Sequence, residues 1–424
     1  MDKQEQRQYF KNFLRLFSGN TIGQLVPFIF APIVARLFTP EQIGIQESFL
    51  SVAGMFAIVA AGRYEIAFVL EENRKKAINL LSLALLLVAS FAIIGTLLGL
   101  FPQAILYFFK DAKLRPHLYF LGMAISLLAL QSVITQWLLR EGNYGKISWV
   151  RILQSFIQNG GYAIAGYLAA GTNGLLMAWL IGAFIPVLVM GYQSMRKVEW
   201  HEVNWNAMME EGRKYKDFPM INSLHAFTDL VATSFLLLGI ISTHFGLTAL
   251  GMFALMNRYL RAPLALVSGT LAQLYYREAG TLLGQQRSIK PIFLRTQKLM
   301  LAVLLPVTII ILIWGPDIFA IYLGEKWRPA GVYAKFLLPA IISNFITSAI
   351  SSSPLLFNKQ RWAYAFSVVG YVMSLSALYL AANLHWAFQY ALLIYALVLL
   401  VYYLSLVAWY YSLIIKHDRH VSTD

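Results

Sequence analysis

Apolar residues in this chain come in long blocks, broken by short charged or turn-forming segments. Each block has the roughly 17 to 25 residues that a helix needs to cross a bilayer. Cutting at the breaks predicts about twelve spans, at 13–37, 43–62, 77–101, 117–139, 147–169, 174–195, 218–242, 247–275, 291–314, 332–356, 362–383 and 387–415. The expected fold class is an all-α polytopic membrane protein.

Departures from the apolar pattern carry the functional information. The first span holds Ser18, Gly19, Asn20, Thr21 and Gln24 ahead of Pro27 and Pro32, which suits a helix facing protein or water. A short outer turn, Thr39-Pro40-Glu41-Gln42-Ile43-Gly44, opens the second span. That span carries Glu47 roughly 9 Å below the outer surface by helical rise. The fourth holds Gln131 and Gln136, the fifth Gln154, Gln158 and Asn159. The longest hydrophilic stretch, 196–217, splits the chain near its midpoint. The second half echoes the first: a span polar in its inner half (Asn222, Ser223, His225, Thr228, Asp229), a short turn, then Gly251 opening the next helix as Gly44 opened the second. Two halves of six spans each have the same orientation, which predicts two six-helix bundles related by a pseudo-two-fold along the membrane normal. The expected organisation is a lead-in at 1–12, bundles at 13–195 and 218–415, a cytoplasmic linker at 196–217 and a cytoplasmic tail at 416–424.

One stretch stands out, Gly251 to Tyr276, where Asn257, Arg258 and Arg261 interrupt an otherwise lipid-soluble helix. An arginine at the centre of a span costs about 2.5 to 3.5 kcal/mol on insertion scales, so two of them ask for a partner, a water-filled cavity or an anionic ligand. Counting from Leu247, helical rise puts Arg258 roughly 16 Å deep and Arg261 roughly 21 Å deep. Their i, i+3 spacing places both on neighbouring parts of one face, with Asn257 beside them. Guanidinium forks match phosphate oxygens with charge-assisted hydrogen bonds, so one reading is anion, specifically pyrophosphate, binding. The other is a structural ion pair with Asp229, also roughly 16 Å deep. Asp229, Glu47 and His225 are candidates for ion coupling or counter-ion roles, and Asn20, Gln24 and Asn222 for the polar lining of a cavity. Pro263 is expected to bend the helix at this depth.

Composition agrees with a membrane protein: of 424 residues 58% are hydrophobic and 13% charged, with a mean hydropathy of +0.61. The net charge of +14 is concentrated on one side of the predicted topology, the positive-inside bias, with both termini cytoplasmic. Basicity therefore orients the chain and meets anionic lipid; nucleic acid is not an expected partner. The polar, basic and aromatic stretch from Met1 to Arg15 has no cleavable-signal pattern and reads as an amphipathic surface segment. With no cysteine there is no disulfide framework or thiolate chemistry. Neither a Walker motif nor an Asp-x-Asp pair is found, and no metal site, cofactor or catalytic residue is expected.

Several motifs carry a family resemblance over essentially the whole chain. Ala35 to Gly44 followed by Gly62-Arg63-Tyr64-Glu65 resembles the N-terminal half of Wzx-type polysaccharide biosynthesis flippases, within the multidrug/oligosaccharidyl-lipid/polysaccharide exporter superfamily. Lys214-Tyr215-Lys216-Asp217-Phe218-Pro219, Tyr276-Arg277-Glu278-Ala279, Gly315-Pro316-Asp317-Ile318-Phe319 and Gly324 through Gly331 come in the same order. The resemblance implies a MATE/MurJ-like fold enclosing a central cavity. It also implies movement of undecaprenyl-pyrophosphate-linked oligosaccharide from the cytoplasmic to the periplasmic leaflet of a bacterial inner membrane, for O-antigen, capsule or exopolysaccharide synthesis. Membrane lipids and other polysaccharide assembly proteins are the accompanying partners. These motifs identify the family without supplying ligands, so the site expectations rest on the intramembrane charges.

Two alternatives fit the residues less well. A cation-coupled drug exporter of the same superfamily would favour acidic and aromatic cavity residues, against which two midplane arginines count. A membrane glycosyltransferase or polymerase would need a metal-binding acidic pair or a large outer loop. The segment from Gly315 to Lys335, with Phe319, Tyr322 and Trp327, is expected to form an outer interfacial helix.

Overall fold

The computed structural model describes residues 23–421; the lead-in at 1–12 and Asn20 lie outside them. Among the described residues the chain is helical, with no strand. In order the helices are α1 (Gly23–Leu37), α2 (Pro40–Ala60), α3 (Tyr64–Leu70), α4 (Arg74–Leu100), α5 (Gln103–Phe109), α6 (Leu121–Arg140), α7 (Tyr144–Tyr167), α8 (Gly171–Met195), α9 (Trp205–Lys214) and α10 (Ser223–Leu230). They continue with α11 (Leu237–Gly284), α12 (Lys290–Leu323), α13 (Arg328–Ser348), α14 (Ser353–Leu356), α15 (Gln360–Asn383) and α16 (Phe388–Val421). Nine described helical runs are long and apolar enough to cross a membrane, one of them, Phe218–Gly284, containing two of the predicted spans. The remaining predicted spans coincide with the shorter α1 and the more polar α7.

Local sequence explains where helices begin. Thr39 caps α2 by accepting from Gln42 N at 3.2 Å while Gln42 Oε1 accepts from Thr39 N at 2.9 Å, a reciprocal capping box, with Pro40 pre-set for the first turn. Asn73 Oδ1 accepts from Lys75 N and Lys76 N to open α4, and Asn204 does the same for Asn206 N and Ala207 N at α9. Asp418 caps α12 from the far end of the chain, accepting from Ser288 Oγ at 2.6 Å and Ile289 N at 3.0 Å.

The 48-residue α11 is broken by Gly246, whose φ of 84° and ψ of 166° leave the helical region. Glycine takes that conformation without a Cβ penalty. Pro263, where a bend was expected, keeps helical dihedrals. Two π-helical turns, Phe218–Asn222 and Val231–Leu236, flank α10.

The expected interfacial helix is not what 315–335 forms. α12 runs unbroken through Phe319 to Leu323, the chain turns at Gly324 (φ 110°), and α13 starts at Arg328. Phe319 and Trp327 are buried in protein, Trp327 completely, so they do not anchor at an interface. Arg328 clamps the turn, donating from NH1 to Asp317 Oδ1 and from Nε to Glu325 Oε1, each at 2.5 Å.

Two compact units are formed, Met1–Gly251 and Met252–Asp424. The segment after 196–217 packs within the first unit. Phe235 stacks on Phe108 with ring centroids 4.4 Å apart, Thr243 Oγ1 donates to Phe108 O at 2.9 Å, and Ser242 Oγ donates to Phe109 O at 3.3 Å. Within the first unit α7 packs on α8 and α4 on α6; within the second α13 is held between α12 and α16.

Candidate functional site

The part of α11 beyond Gly246 carries Asn257, Arg258 and Arg261, and the break falls next to Leu247, the point from which their depth was counted. Asn257 and Arg261, four residues apart, share a face and are part-buried, whereas Arg258 is exposed from protein. Arg261 Nε and Asn257 Oδ1 are buried with no hydrogen-bond partner. Inside a protein such atoms are uncommon, because an unmet donor or acceptor costs about 1–3 kcal/mol.

α16 supplies the facing wall. Tyr395, 8% exposed, lies within electrostatic range of the Arg261 guanidinium and of Tyr403. The Tyr403 hydroxyl accepts from Asn344 Nδ2 of α13 at 2.8 Å, and its ring packs against Tyr402 at 4.9 Å between centroids. Arg261, Tyr395, Tyr403 and Asn344 thus line up one cation, two phenols and an amide, all in the second unit. Such a set can hold an anion and hydrogen-bond a hydroxylated group. The tyrosines were not expected as site residues; their one legible signal is the recurrence at 395, 402, 403 and 410 along one helix face.

The other candidates lie in the first unit. Gln24 of α1, Asn222 at the end of the first π-helical turn, and His225 and Asp229 of α10 are all exposed, and Glu47 of α2 is part-buried. Asp229 stands two residues before the second π-helical turn, an irregularity that often marks functional positions. The polar residues of α2, α7 and α8 mostly bind one another: Gln46 Nε2 donates to Tyr162 OH at 3.1 Å, and Gln158 Nε2 to the same hydroxyl at 2.8 Å. Arg151 of α7 lies inside the span predicted at 147–169 and was not singled out.

A second polar cluster joins the predicted linker to the first unit. Glu71 Oε2 accepts from Lys214 Nζ at 2.6 Å and from Tyr215 OH at 2.8 Å, and its Oε1 accepts from Asn73 N at 3.1 Å. The hydrogen bond from Lys214 leads these contacts in holding the Glu71 carboxyl down to about 2. Lys76 pairs with Glu211 at 3.0 Å, and Tyr64 OH donates to Gly212 O at 3.0 Å. The Gly62-Arg63-Tyr64-Glu65 motif therefore has a structural role: Gly62 and Arg63 turn the chain with φ of 60° and 57°, and Tyr64 holds α9. Burial pushes the Glu65 carboxyl up, with Arg63 3.7 Å away.

Solved structures share this fold. An inward-facing multidrug resistance MATE transporter of the MOP superfamily superposes with a TM-score of 0.76 at 14% identity, over 96% of this chain and 99% of that one. The lipid II flippase MurJ, in an inward closed conformation, gives 0.70 at 12% identity, over 96% and 91%. A MOP superfamily transporter from Pyrococcus furiosus, described as having a binding pocket of reverse polarity, gives 0.52 at 14%, over 96% and 95%. At these identities the likeness establishes the fold alone. No curated protein sequence matched the chain. The polysaccharide biosynthesis protein family matches residues 33–331, and with that match over most of its length this multi-pass membrane protein belongs to the polysaccharide biosynthesis protein family.

Proposed function

We propose that this protein is a flippase for undecaprenyl-pyrophosphate-linked oligosaccharide repeat units. It works by alternating access from the cytoplasmic to the periplasmic leaflet of the bacterial inner membrane, with both termini cytoplasmic, and it serves O-antigen, capsule or exopolysaccharide synthesis. The observation that carries the reading is Arg261 on α11, a mid-span cation whose buried Nε lacks a partner. A pyrophosphate loses its hydration on reaching that depth, and a guanidinium replaces it with directed, charge-assisted hydrogen bonds. Arg258, one turn away, adds a second positive charge for a ligand that carries more than one negative charge. Gln24 and Asn222 are assigned to the polar lining that meets sugar.

No bond is made or broken in this process, so no residue has a catalytic role. Asp229, between the two π-helical turns, and with it His225 and Glu47, are the groups through which ion movement would couple to transport. The test is reconstitution of the full chain into liposomes with a fluorescent polyprenyl-pyrophosphate oligosaccharide on one leaflet. Its appearance on the other leaflet, reduced in Arg261→Ala, is the expected result. Export of cationic dyes with no movement of the glycolipid would replace this reading with the drug exporter.

A further inference from the structure

Two of the orphaned atoms of the second unit, Arg261 Nε and Asn257 Oδ1, ask for opposite things. Arg261 Nε–H donates, and an anionic oxygen satisfies it. The Asn257 amide stands with its carbonyl oxygen in the buried position, and that oxygen only accepts, so its partner there must donate a proton. A fully ionised phosphate or pyrophosphate has no such proton. It meets Arg261 and leaves the Asn257 oxygen buried and unmet.

Resting on the flippase reading above, we infer that Asn257 and Arg261 together recognise a glycosyl phosphate. Arg261 takes a phosphate oxygen, and Asn257 accepts from a hydroxyl of the sugar bonded to that phosphate. Four residues of helix separate the two side chains by roughly 6 Å along the axis, and the long arginine stem spans the difference to adjacent groups of one sugar phosphate. The facing wall fits the same ligand. On α16 the Tyr403 hydroxyl accepts from Asn344 Nδ2 at 2.8 Å, and Tyr395 lies within electrostatic range of Arg261, which adds polar groups of the same unit near the pair. The consequence is discrimination: the carrier lipid is held well when it bears sugar and poorly when bare, so the empty carrier competes little for the site.

The test measures binding to the full chain in nanodiscs, using two probes: undecaprenyl pyrophosphate, and the same lipid bearing a single hexose. Wild type is expected to prefer the glycosylated lipid by about tenfold or more. Asn257→Leu removes that preference; Asn257→Ala reports the same should the leucine variant fail to fold. Arg261→Gln weakens both lipids alike. Equal binding of the two lipids by wild type, or a preference that survives in the Asn257 variants, overturns the inference and leaves the flippase reading standing. Binding of neither lipid overturns the flippase reading itself.

Discussion

Gly44 of α2 and Gly251 of α11 bring two helix backbones into direct contact. A Cβ on Gly251 would fall inside the van der Waals surface of the Pro40 carbonyl oxygen, and one on Gly44 inside that of Leu247. Neither obstacle is a side chain that can rotate away. Gly44→Ala and Gly251→Ala are each expected to lower stability by about 2–3 kcal/mol, the upper range for overpacking. Gly269→Ala, in the same helix but with open space around it, is expected to be neutral or slightly stabilising, since alanine is the better helix former. Thermal melts of the purified protein in detergent check all three, and equal melting temperatures would refute the contact.

The grip of Glu71 on Lys214 and Tyr215 makes a pH-dependent prediction. The folded carboxyl, held at about 2, lies below its ordinary value of 4.5, so the folded state prefers the charged form. Its contribution is fully present above the ordinary value and is lost as pH falls from there toward about 2. With Lys214 half in solvent, about 1–2 kcal/mol is expected from the pair after screening. Melts of wild type and Glu71→Gln across a pH series should therefore differ at neutral pH and converge in acid. Hydrogen exchange in α9 should rise in the variant, because Glu71 ties that helix to the loop before α4.

The spans and the arginines at 258 and 261 were legible because each is written in consecutive residues. Glu71 and Lys214 are 143 residues apart, and Tyr395 of α16 comes within electrostatic range of Arg261 of α11. No local pattern announces such pairs. The expected interfacial helix at 315–335 failed for a related reason: a run with aromatic residues at intervals reads alike whether they face lipid or protein. Trp327 faces protein. The break at Gly246 was not expected from the sequence; a single glycine there supplies the positive φ.

Trp327 and Arg328 separate packing from charge in one turn. Trp327 is completely buried, so Trp327→Ala is expected to cost about 3–5 kcal/mol and to cut the yield of folded protein. Arg328 holds Glu325 and Asp317 on a partly exposed surface, where ion pairs contribute about 0.2–1 kcal/mol. Arg328→Lys keeps the charge but loses the fork, and its melt is expected to fall by no more than that amount. A larger loss in Arg328→Lys than in Trp327→Ala would reverse the assignment.

Transport kinetics distinguish Arg258 from Arg261. Arg261 is part-buried with its Nε unmet, so its guanidinium has little water to fall back on; Arg258 is exposed from protein. Removing the more buried charge should matter more, because an ion-to-phosphate contact strengthens as water is excluded. Arg261→Ala is expected to slow glycolipid flipping by about 10–100-fold, and Arg258→Ala by only about 2–10-fold. Arg261→Lys should fall between wild type and Arg261→Ala, since it keeps the charge and loses the planar fork. Initial rates of leaflet exchange in liposomes, normalised to folded protein, decide the order. A slower Arg258→Ala than Arg261→Ala would move the anion contact to the exposed face of α11.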